Sequence, residues 1–376
     1  MAVDWNTVLI GQLTTSFLIS GLLSYICAGT RHHPLTRKGR TSDLRAVQAS
    51  HIFDVPRLGG LAIFSGFMTA MLSKGTMSQE VMLMGSGLIV FVVGIWEDIS
   101  GDVSAQRRLI ASMVAAAAAM YMSGAMITRL DLPTIDFLLV AVPAIAVCLT
   151  ILLSAAYTHA FNLIDGMNGL SATVGISSSL ALAWTAHQNG QSSISATMIL
   201  LAAAICGFAL LNWPRSRIFL GDGGAYFIGH VLFWSAVLLA RAVPEVNIAS
   251  IILIMFWPVA ELTTTILRRL ISGTPLGKPD RLHFHQIVRR GIEIATEGRQ
   301  KRSFANAMTT VCLLPAIIVP TCLGAVLARN GTFAALALVF CAFLYTCSYI
   351  FLRKRVARHK ARRRIGKLRR SSRNRG

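Results

Sequence analysis

Oxygen-bearing side chains recur every three residues in the segment AFNLIDGMNGL, residues 160–170. Asn162, Asp165 and Asn168 are separated there by Gly166 and other small or apolar residues, and the segment has no Lys or Arg. Amide and carboxylate oxygens are ligands that Mg²⁺ accepts, and glycines let a backbone approach a ligand closely. A basic residue would compete with the cation. The pattern predicts one wall of a metal and nucleotide site.

Two further motifs carry carboxylates. Glu97 and Asp98 are adjacent in WEDISGD, and two carboxylates this close repel each other unless a cation lies beside them. Asp222 is bracketed by glycines in FLGDGG, before an apolar span whose helix N-terminus favours an anion. This motif is not a Walker A loop, because the Lys-Ser/Thr pair is absent. Two simpler interpretations remain possible: the first motif is a solvated loop, and Asp222 in the second is only a helix cap.

Cationic side chains are grouped in motifs of their own, HIFDVPRLGG, the AQRR that follows the acidic pair, and DRLHFHQIVRRG. The candidates are His51, Arg57, Arg108, Arg281, His283 and His285. The His-x-His spacing differs from the i, i+4 pair of a helical zinc site, so anion binding is favoured over zinc. Carboxylates and cations on one face suit phosphoryl transfer, in which the cations stabilise the developing charge.

The elements that must position these residues are predicted to be membrane helices. Hydrophobic residues make up 54% of the 376 residues and charged residues only 14%, too few to coat a soluble protein. Apolar runs of ~20 residues recur, the length at which an α-helix crosses a bilayer. About eleven spans are predicted, at 7–27, 57–74, 80–96, 108–127, 137–156, 169–187, 194–211, 225–242, 248–267, 308–328 and 332–352.

The basic residues give these spans a direction. All but four of the 36 Lys and Arg fall in alternate loops, in the tail, or, for Arg57 and Arg108, at the span residue that adjoins such a loop, which places those segments in the cytoplasm. The N-terminus is then outside, the C-terminus cytoplasmic, and every polar motif on the cytoplasmic face. The prediction is an all-α polytopic integral membrane protein of about eleven transmembrane helices. Residues 1–352 form its membrane-embedded catalytic domain.

The tail, 353–376, is predicted to be a basic, disordered cytoplasmic segment attracted to anionic membrane lipids. No aromatic platform or folded module accompanies its charge, so the sequence predicts no nucleic-acid binding.

The motifs PRLGG, the acidic pair, NLIDGMNGL, FLGDGG and the histidine motif resemble, in this order, those of the polyprenyl-phosphate N-acetylhexosamine-1-phosphate transferases. The resemblance covers roughly residues 10–352. It implies that a polyprenyl phosphate attacks the β-phosphorus of a UDP-sugar, giving polyprenyl-diphospho-sugar and UMP. It implies Mg²⁺, with Mn²⁺ as the alternative cation, the bacterial inner membrane, and an active site on the cytoplasmic face. A homodimer is left open.

The resemblance also implies roles, position by position. Asp98 is implied to deprotonate the lipid phosphate, and Glu97 replaces the first Asp of the family's pair. Asp222 is implied as the principal metal ligand, joined by Asn168, which stands where many bacterial members have Asp. Gln286 stands where a third histidine is often found. The remaining implied positions bind substrate: Asn162, Asp165, His51, Arg57, Arg108, Arg281, His283 and His285.

Three functional classes are compatible with this sequence. The form of the motifs looks most like O-antigen-initiating transferases, an analogy that leaves the sugar open. A secondary transporter of a phosphorylated sugar or lipid is the alternative, and a family member inactivated through Glu97 and Asn168 is the third. Polar residues at span ends favour the transferase, because a transporter more often holds them near the midplane. Whether Asp98 acts as a base or as a covalent nucleophile is also open.

Overall fold

The structure, a computed structural model, describes residues 5–30, 55–73, 79–274, 282–296 and 302–373. All regular secondary structure within these ranges is helical, which confirms the all-α prediction. His51 and Arg281, both predicted to bind substrate, lie outside the described residues.

Fourteen helices are present in the described ranges. They are α1 Trp5–Gly29, α2 Gly59–Leu72, α3 Gln79–Ser100, α4 Ala105–Ser123, α5 Pro133–Ala141, α6 Pro143–Leu163, α7 Leu170–Gln188, α8 Ser192–Asn212, α9 Gly221–Ala242, α10 Ile248–Ile254, α11 Phe256–Ser272, α12 Phe284–Ala295, α13 Arg302–Val326 and α14 Gly331–Arg373.

Each predicted span overlaps one of these helices or a broken pair of them. Six helices are long and apolar enough to cross a membrane, and α10 with α11, which bend by 89°, form a seventh span if they are taken together. These lengths and compositions support a polytopic membrane protein. The count of eleven spans and the orientation remain predictions.

Several helix ends differ from the predicted span ends. The span predicted at 137–156 is broken at Val142, because Pro143 has no N–H to continue the helix. Helix α6 then runs on to Leu163, and α14 continues through the basic segment to Arg373, where the sequence predicted disorder. Backbone hydrogen bonds do not depend on side-chain polarity, so helices continue past the point where hydropathy falls.

Helix α9 lies at the centre of the bundle. In the most apolar 18-residue stretch of α9, 94% is buried, whereas the corresponding share for α14, at the periphery, is 17%. It packs against α2, α3, α6 and α7. Phe227 of α9 meets Phe64 at a ring-centroid distance of 5.1 Å, and Phe64 stacks on Phe91 at 4.1 Å. The N-terminus of this central helix is therefore held by several neighbours.

Glycines allow the chain to approach the N-terminus of α9 at backbone distance. The amides of Gly59 and Gly60 donate to the carbonyls of Phe219 and Leu220 at 2.9 and 2.8 Å. A Cβ on Gly60 would lie 2.2 Å from the backbone nitrogen of Gly224. The motifs PRLGG and FLGDGG, distant in sequence, are thus docked directly on each other.

We expect Gly60→Ala to destabilise the protein, because its Cβ meets backbone that cannot turn aside. A cost on the order of 1–3 kcal/mol is typical of overpacking. It should appear as a lower apparent unfolding temperature in detergent. Gly11→Ala in α1 is the control, since a Cβ at Gly11 meets nothing within 4 Å. Equal unfolding temperatures for the two variants would contradict the close docking of α2 on α9.

Candidate active site

Asp98 caps the N-terminus of α9. It lies in the last turn of α3, where its Oδ1 and Oδ2 accept the amides of Asp222 and Gly223, each at 2.9 Å. Arg57 Nε lies 3.4 Å from the same Oδ1. Gly221 has a φ of +79°, and a Cβ there would lie 2.5 Å from Asp98 Oδ2. Only glycine therefore lets this carboxylate reach the helix terminus, which favours negative charge.

Asp222, in the first turn of α9, is surrounded by cations. Arg57 Nη2 donates to its Oδ1 at 3.2 Å, and Arg108 Nη1 forms an ion pair with its Oδ2. Tyr226, one turn along α9, donates its hydroxyl to the same Oδ2 at 3.2 Å. The side chains of both aspartates are buried, whereas both arginines are partly exposed. The guanidinium groups therefore form the accessible side of the cluster.

Asn162 joins this network from the last turn of α6, not from a loop as predicted. Its Nδ2 donates to the hydroxyl of Tyr226 at 3.1 Å. The ring of His159 lies against Tyr226 at 4.9 Å between centroids, and its Nε2 is 3.2 Å from Ser112 Oγ. Tyr226 therefore connects the aspartate cluster to α6 and α4.

Asp165 lies in the turn between α6 and α7. Its Oδ1 accepts the hydroxyl of Ser171 at 2.7 Å, and the backbone amide of Gly221 lies close enough to favour its charged form. Burial raises the pKa of Asp165 from its ordinary value of 3.8 to about 6, against the opposing effects of Ser171, the Arg57 charge and the Gly221 amide. The structure thus brings this predicted residue to the same helix terminus as Asp98.

The raised pKa of Asp165 predicts a pH-dependent stability. Between about pH 4 and pH 6 the unfolded chain has lost the proton that the folded protein still holds, so this group's stabilising contribution is lost as pH rises. Asp165→Asn removes the dependence. The unfolding temperature of wild type relative to this variant should therefore fall across that window. Replacing the exposed Asp102 by Asn is the control, and a pH-independent difference for Asp165→Asn would contradict the shift.

Asn168 anchors the turn between α6 and α7. Its backbone amide donates to Asn306 Oδ1 at 2.7 Å, and its Nδ2 donates to the carbonyl of Pro214 at 2.8 Å. The amide of the next residue, Gly169, donates to Asn212 Oδ1 at 2.6 Å. The contacts described for Asn168 are with these anchors and not with Asp222. Its Oδ1 is buried and has no hydrogen-bond partner among the described residues, and the prediction that Asn168 is a metal ligand stays a prediction.

The side chain of Glu97 points in a different direction from that of its neighbour Asp98. Its Oε2 accepts the amide of Val103 at 2.7 Å and so closes the turn between α3 and α4, while Asp98 faces α9. Adjacent residues on a helix point about 100° apart, so the pair does not converge on one point. Glu97 remains near enough to Arg108 to interact with its charge.

The two histidines of the DRLHFHQ motif are arranged around a buried carboxylate, Glu261 of α11. Nδ1 of His285 lies 3.2 Å from Glu261 Oε1, and Nδ1 of His283 lies 3.7 Å from Oε2. The histidine rings stack at 5.6 Å between centroids. A Cβ on Gly166 would lie 3.1 Å from Nε2 of His285. This places the histidine motif against the turn that carries Asp165.

Sequence reasoning missed four residues of this site. Tyr226 lies four residues after Asp222 on one helix face, a spacing that predicts contact. Glu261 is a carboxylate within a predicted span, a position that indicates function by default. Asn212 and Asn306 carry no local signal, because their role depends on helices that meet only in the fold.

The donor chemistry of the cluster fits a divalent cation shared with a substrate. Among the residues that the structure describes, no group of three or more His, Cys, Asp or Glu side chains is arranged to hold a metal alone. Mg²⁺ is usually held by one or two carboxylates together with substrate phosphates. Asp222, with Asp165 nearby, offers such oxygens. A cation at Asp222 would displace one of the guanidinium groups that pair with it.

Comparison with known proteins agrees with this geometry. The sequence model described as glycosyl transferase family 4 matches residues 81–240, the segment that contains Asp98, Asp165 and Asp222. A Bacillus subtilis (strain 168) protein named probable undecaprenyl-phosphate N-acetylglucosaminyl 1-phosphate transferase is 30% identical over 236 residues, 61% of this chain and 64% of the relative. The match therefore spans less than two thirds of that relative's length.

Two other relatives have related names. The decaprenyl-phosphate N-acetylglucosaminephosphotransferase of Mycobacterium tuberculosis (strain CDC 1551 / Oshkosh) is 25% identical over 73% of this chain and 75% of its own length. The undecaprenyl-phosphate alpha-N-acetylglucosaminyl 1-phosphate transferase of Yersinia pestis is 27% identical over 63% of this chain and 66% of its own. Over residues 81–240 this chain is therefore similar to glycosyl transferase family 4, and the three relatives named here have names of that class of transferase.

Proposed function

We propose that this protein transfers a sugar 1-phosphate, an N-acetylhexosamine derivative, from a UDP-sugar to a polyprenyl phosphate such as undecaprenyl phosphate. The products are polyprenyl-diphospho-sugar and UMP. The observation that carries the proposal is the joining of Asp98 and Asp222 to Arg57 and Arg108 at the N-terminus of α9. The names of the relatives, which specify this group and this class of acceptor, support it.

The two arginines bind the phosphates in this proposal. Guanidinium groups match phosphate oxygens in geometry and stay charged at all physiological pH values. In the structure both pair with Asp222, which holds them ready and prevents their charges from repelling each other. A bound diphosphate takes over part of this pairing. Charge that develops on the leaving UMP is then stabilised by groups that are already in place.

Asp98 is proposed as the proton acceptor for the lipid phosphate. A carboxylate offers about four acceptor sites, and the amides of Asp222 and Gly223 with Arg57 engage three of them. One remains for the proton of the attacking phosphate. The phosphate oxygen then forms a bond to the β-phosphorus, the bond from that phosphorus to the bridging oxygen breaks, and UMP leaves with the electron pair.

A bound Mg²⁺ would supply further neutralisation of the diphosphate charge. Asp222 is the residue proposed to hold it, with Asp165 beside it and Asn162 on the nucleotide side. Asn168 is proposed as a further oxygen ligand through its Oδ1, while its backbone amide and Nδ2 hold the turn that carries Asp165. His283 and His285 border the same turn and are proposed to contact the substrate there. His51 and Arg281 keep their proposed substrate contacts on the strength of the resemblance alone.

The setting of the reaction is also proposed. The distribution of Lys and Arg supports a site on the cytoplasmic face, where UDP-sugars are found, and the family resemblance supports the bacterial inner membrane. The Glu-Asp pair and the His-x-His form support initiation of a surface glycan such as O-antigen.

The experiment is a transfer assay with purified protein in detergent, undecaprenyl phosphate, Mg²⁺ and a panel of radiolabelled UDP-N-acetylhexosamines. Formation of a butanol-extractable sugar lipid with at least one donor is the expected result. A folded protein that forms none with any donor overturns the proposal. Uptake of unchanged labelled sugar phosphate into proteoliposomes would instead favour the transporter alternative.

A further inference from the structure

Glu261 is a buried carboxylate that the transfer chemistry described above does not use. It lies on α11 and is 1% exposed. Its Oε2 accepts the backbone amide of Phe284 at 3.2 Å, and its Oε1 lies 3.4 Å from the amide of His285. Oε1 also faces the imidazole Nδ1 of His285 at 3.2 Å. One carboxylate thus caps α12 and contacts the ring of a histidine in its first turn.

These contacts decide which ring nitrogen of His285 carries hydrogen. A carboxylate only accepts hydrogen bonds, so Nδ1 must be the donor. Burial lowers the pKa of His285, which favours the neutral ring with one hydrogen. Nε2 is then left with a lone pair, and it faces the turn at Gly166, where a Cβ would lie 3.1 Å away. The histidine presents a defined atom to the turn that carries Asp165.

Holding α12 in place does not require this carboxylate. Phe284 stacks on Trp257 at 5.8 Å and meets Tyr345 edge-on at 5.0 Å between centroids. The hydroxyl of Tyr349 donates to the carbonyl of Leu282 at 3.0 Å. These contacts attach the start of α12 to α11 and α14. A charge buried among membrane helices is costly, and an apolar residue would pack there at less cost.

We propose that Glu261 is a positioning residue, which fixes the Nδ1–H form of His285 and aims its Nε2 at the turn between α6 and α7. The inference rests on the proposed function, in that the aimed Nε2 accepts a hydrogen bond from the substrate during transfer. The orientation itself is a property of the protein without substrate. It can therefore be tested without turnover.

The test without turnover is nitrogen NMR of ¹⁵N-histidine-labelled protein, with the His285 signals identified by their loss in His285→Gln. Wild type should show hydrogen on Nδ1 and none on Nε2, and Glu261→Gln should change the tautomer distribution. Hydrogen on Nε2 in wild type, or an unchanged signal in Glu261→Gln, would overturn the proposal. Neither result depends on whether the protein transfers sugar phosphate.

The kinetic test is a double-mutant cycle. Removing a partner that orients a functional histidine typically lowers activity about 10–100-fold. We expect such a loss in kcat/KM for Glu261→Gln, and no further loss when Glu261→Gln is added to His285→Gln. Additive losses would show that Glu261 does not act through His285. Absence of transfer by wild type would count against the proposed function, while the NMR result still decides the role of Glu261.

The control is Glu245→Gln, which removes the charge of a carboxylate elsewhere in the chain. Glu245 is an exposed carboxylate in the connection after α9, beyond the end of that helix opposite to Asp222. It should leave the His285 signals and kcat/KM within about twofold of wild type, as expected for a surface-type substitution. If this control changes the His285 tautomer as Glu261→Gln does, loss of any carboxylate charge is enough to produce the change. The positioning role of Glu261 is then refuted.

Discussion

Asp222→Asn should lower transfer activity at least about 10²–10³-fold, the loss typical of removing one preorganised electrostatic contact. The carboxylate holds Arg57 and Arg108 on its two oxygens, and Tyr226 donates to it from one turn away. An asparagine of the same shape keeps one acceptor but no charge. The arginines would then repel each other, and the proposed cation would lose its main ligand. Initial rates over a range of Mg²⁺ concentrations measure the effect.

The control for Asp222→Asn is Asp131→Asn. Asp131 also pairs with an arginine, Arg129 at 3.4 Å, and caps Ile248 N at 2.6 Å. It lies in the connection after α4, at the opposite end of that helix from Arg108. The Asp131→Asn variant should keep the wild-type transfer activity per folded molecule. Near-normal turnover by Asp222→Asn with unchanged Mg²⁺ dependence would refute the role of Asp222.

Asp98→Asn should lower both stability and activity. Asp98 accepts two amides of α9, and an asparagine can accept only one while its NH₂ faces the other. Loss of a helix cap costs about 0.5–2 kcal/mol. Loss of a proton acceptor lowers the rate about 10²–10⁴-fold. Thermal unfolding in detergent and initial rates measure the two effects separately.

Asn247→Ala separates a cap from a proton acceptor. Asn247 caps α10 by accepting the amide of Ser250 at 2.8 Å. Its loss should lower the unfolding temperature comparably and leave the activity of the folded fraction near that of wild type. If Asp98→Asn behaves in the same way, Asp98 is a structural cap and the proposed proton transfer is wrong.

The sequence was informative about which residues meet, because membrane topology restricts where polar groups can lie. Apolar runs of bilayer length locate the helices, and the charge bias places the polar motifs at one end of them. The structure confirms the all-α fold and brings Asp98, Asp165 and Asp222 to one helix terminus. It corrects the local setting, since Asn162, Asp98 and Asp222 lie in terminal helical turns and not in loops.

Contacts that depend on three-dimensional packing could not be predicted. Asn168 was predicted as a metal ligand, and nothing in the sequence indicated that it also anchors its turn to Pro214 and Asn306, which lie 46 and 138 residues away. Glu261 looked like part of an apolar span, and its role appears only once α12 is docked on α11. In both cases the side chain's chemistry is evident in the sequence, whereas its partner is not.

The fate of the β-phosphorus tests the central claim most directly. Donor labelled with ³²P at the β-position of UDP-N-acetylglucosamine is incubated with undecaprenyl phosphate, Mg²⁺ and the protein. Sugar-1-phosphate transfer predicts that the label moves into the lipid and that unlabelled UMP is released in equal amount. Label that stays in released UDP would show transfer of the sugar alone. Labelled UDP as the released product would therefore contradict the proposed reaction.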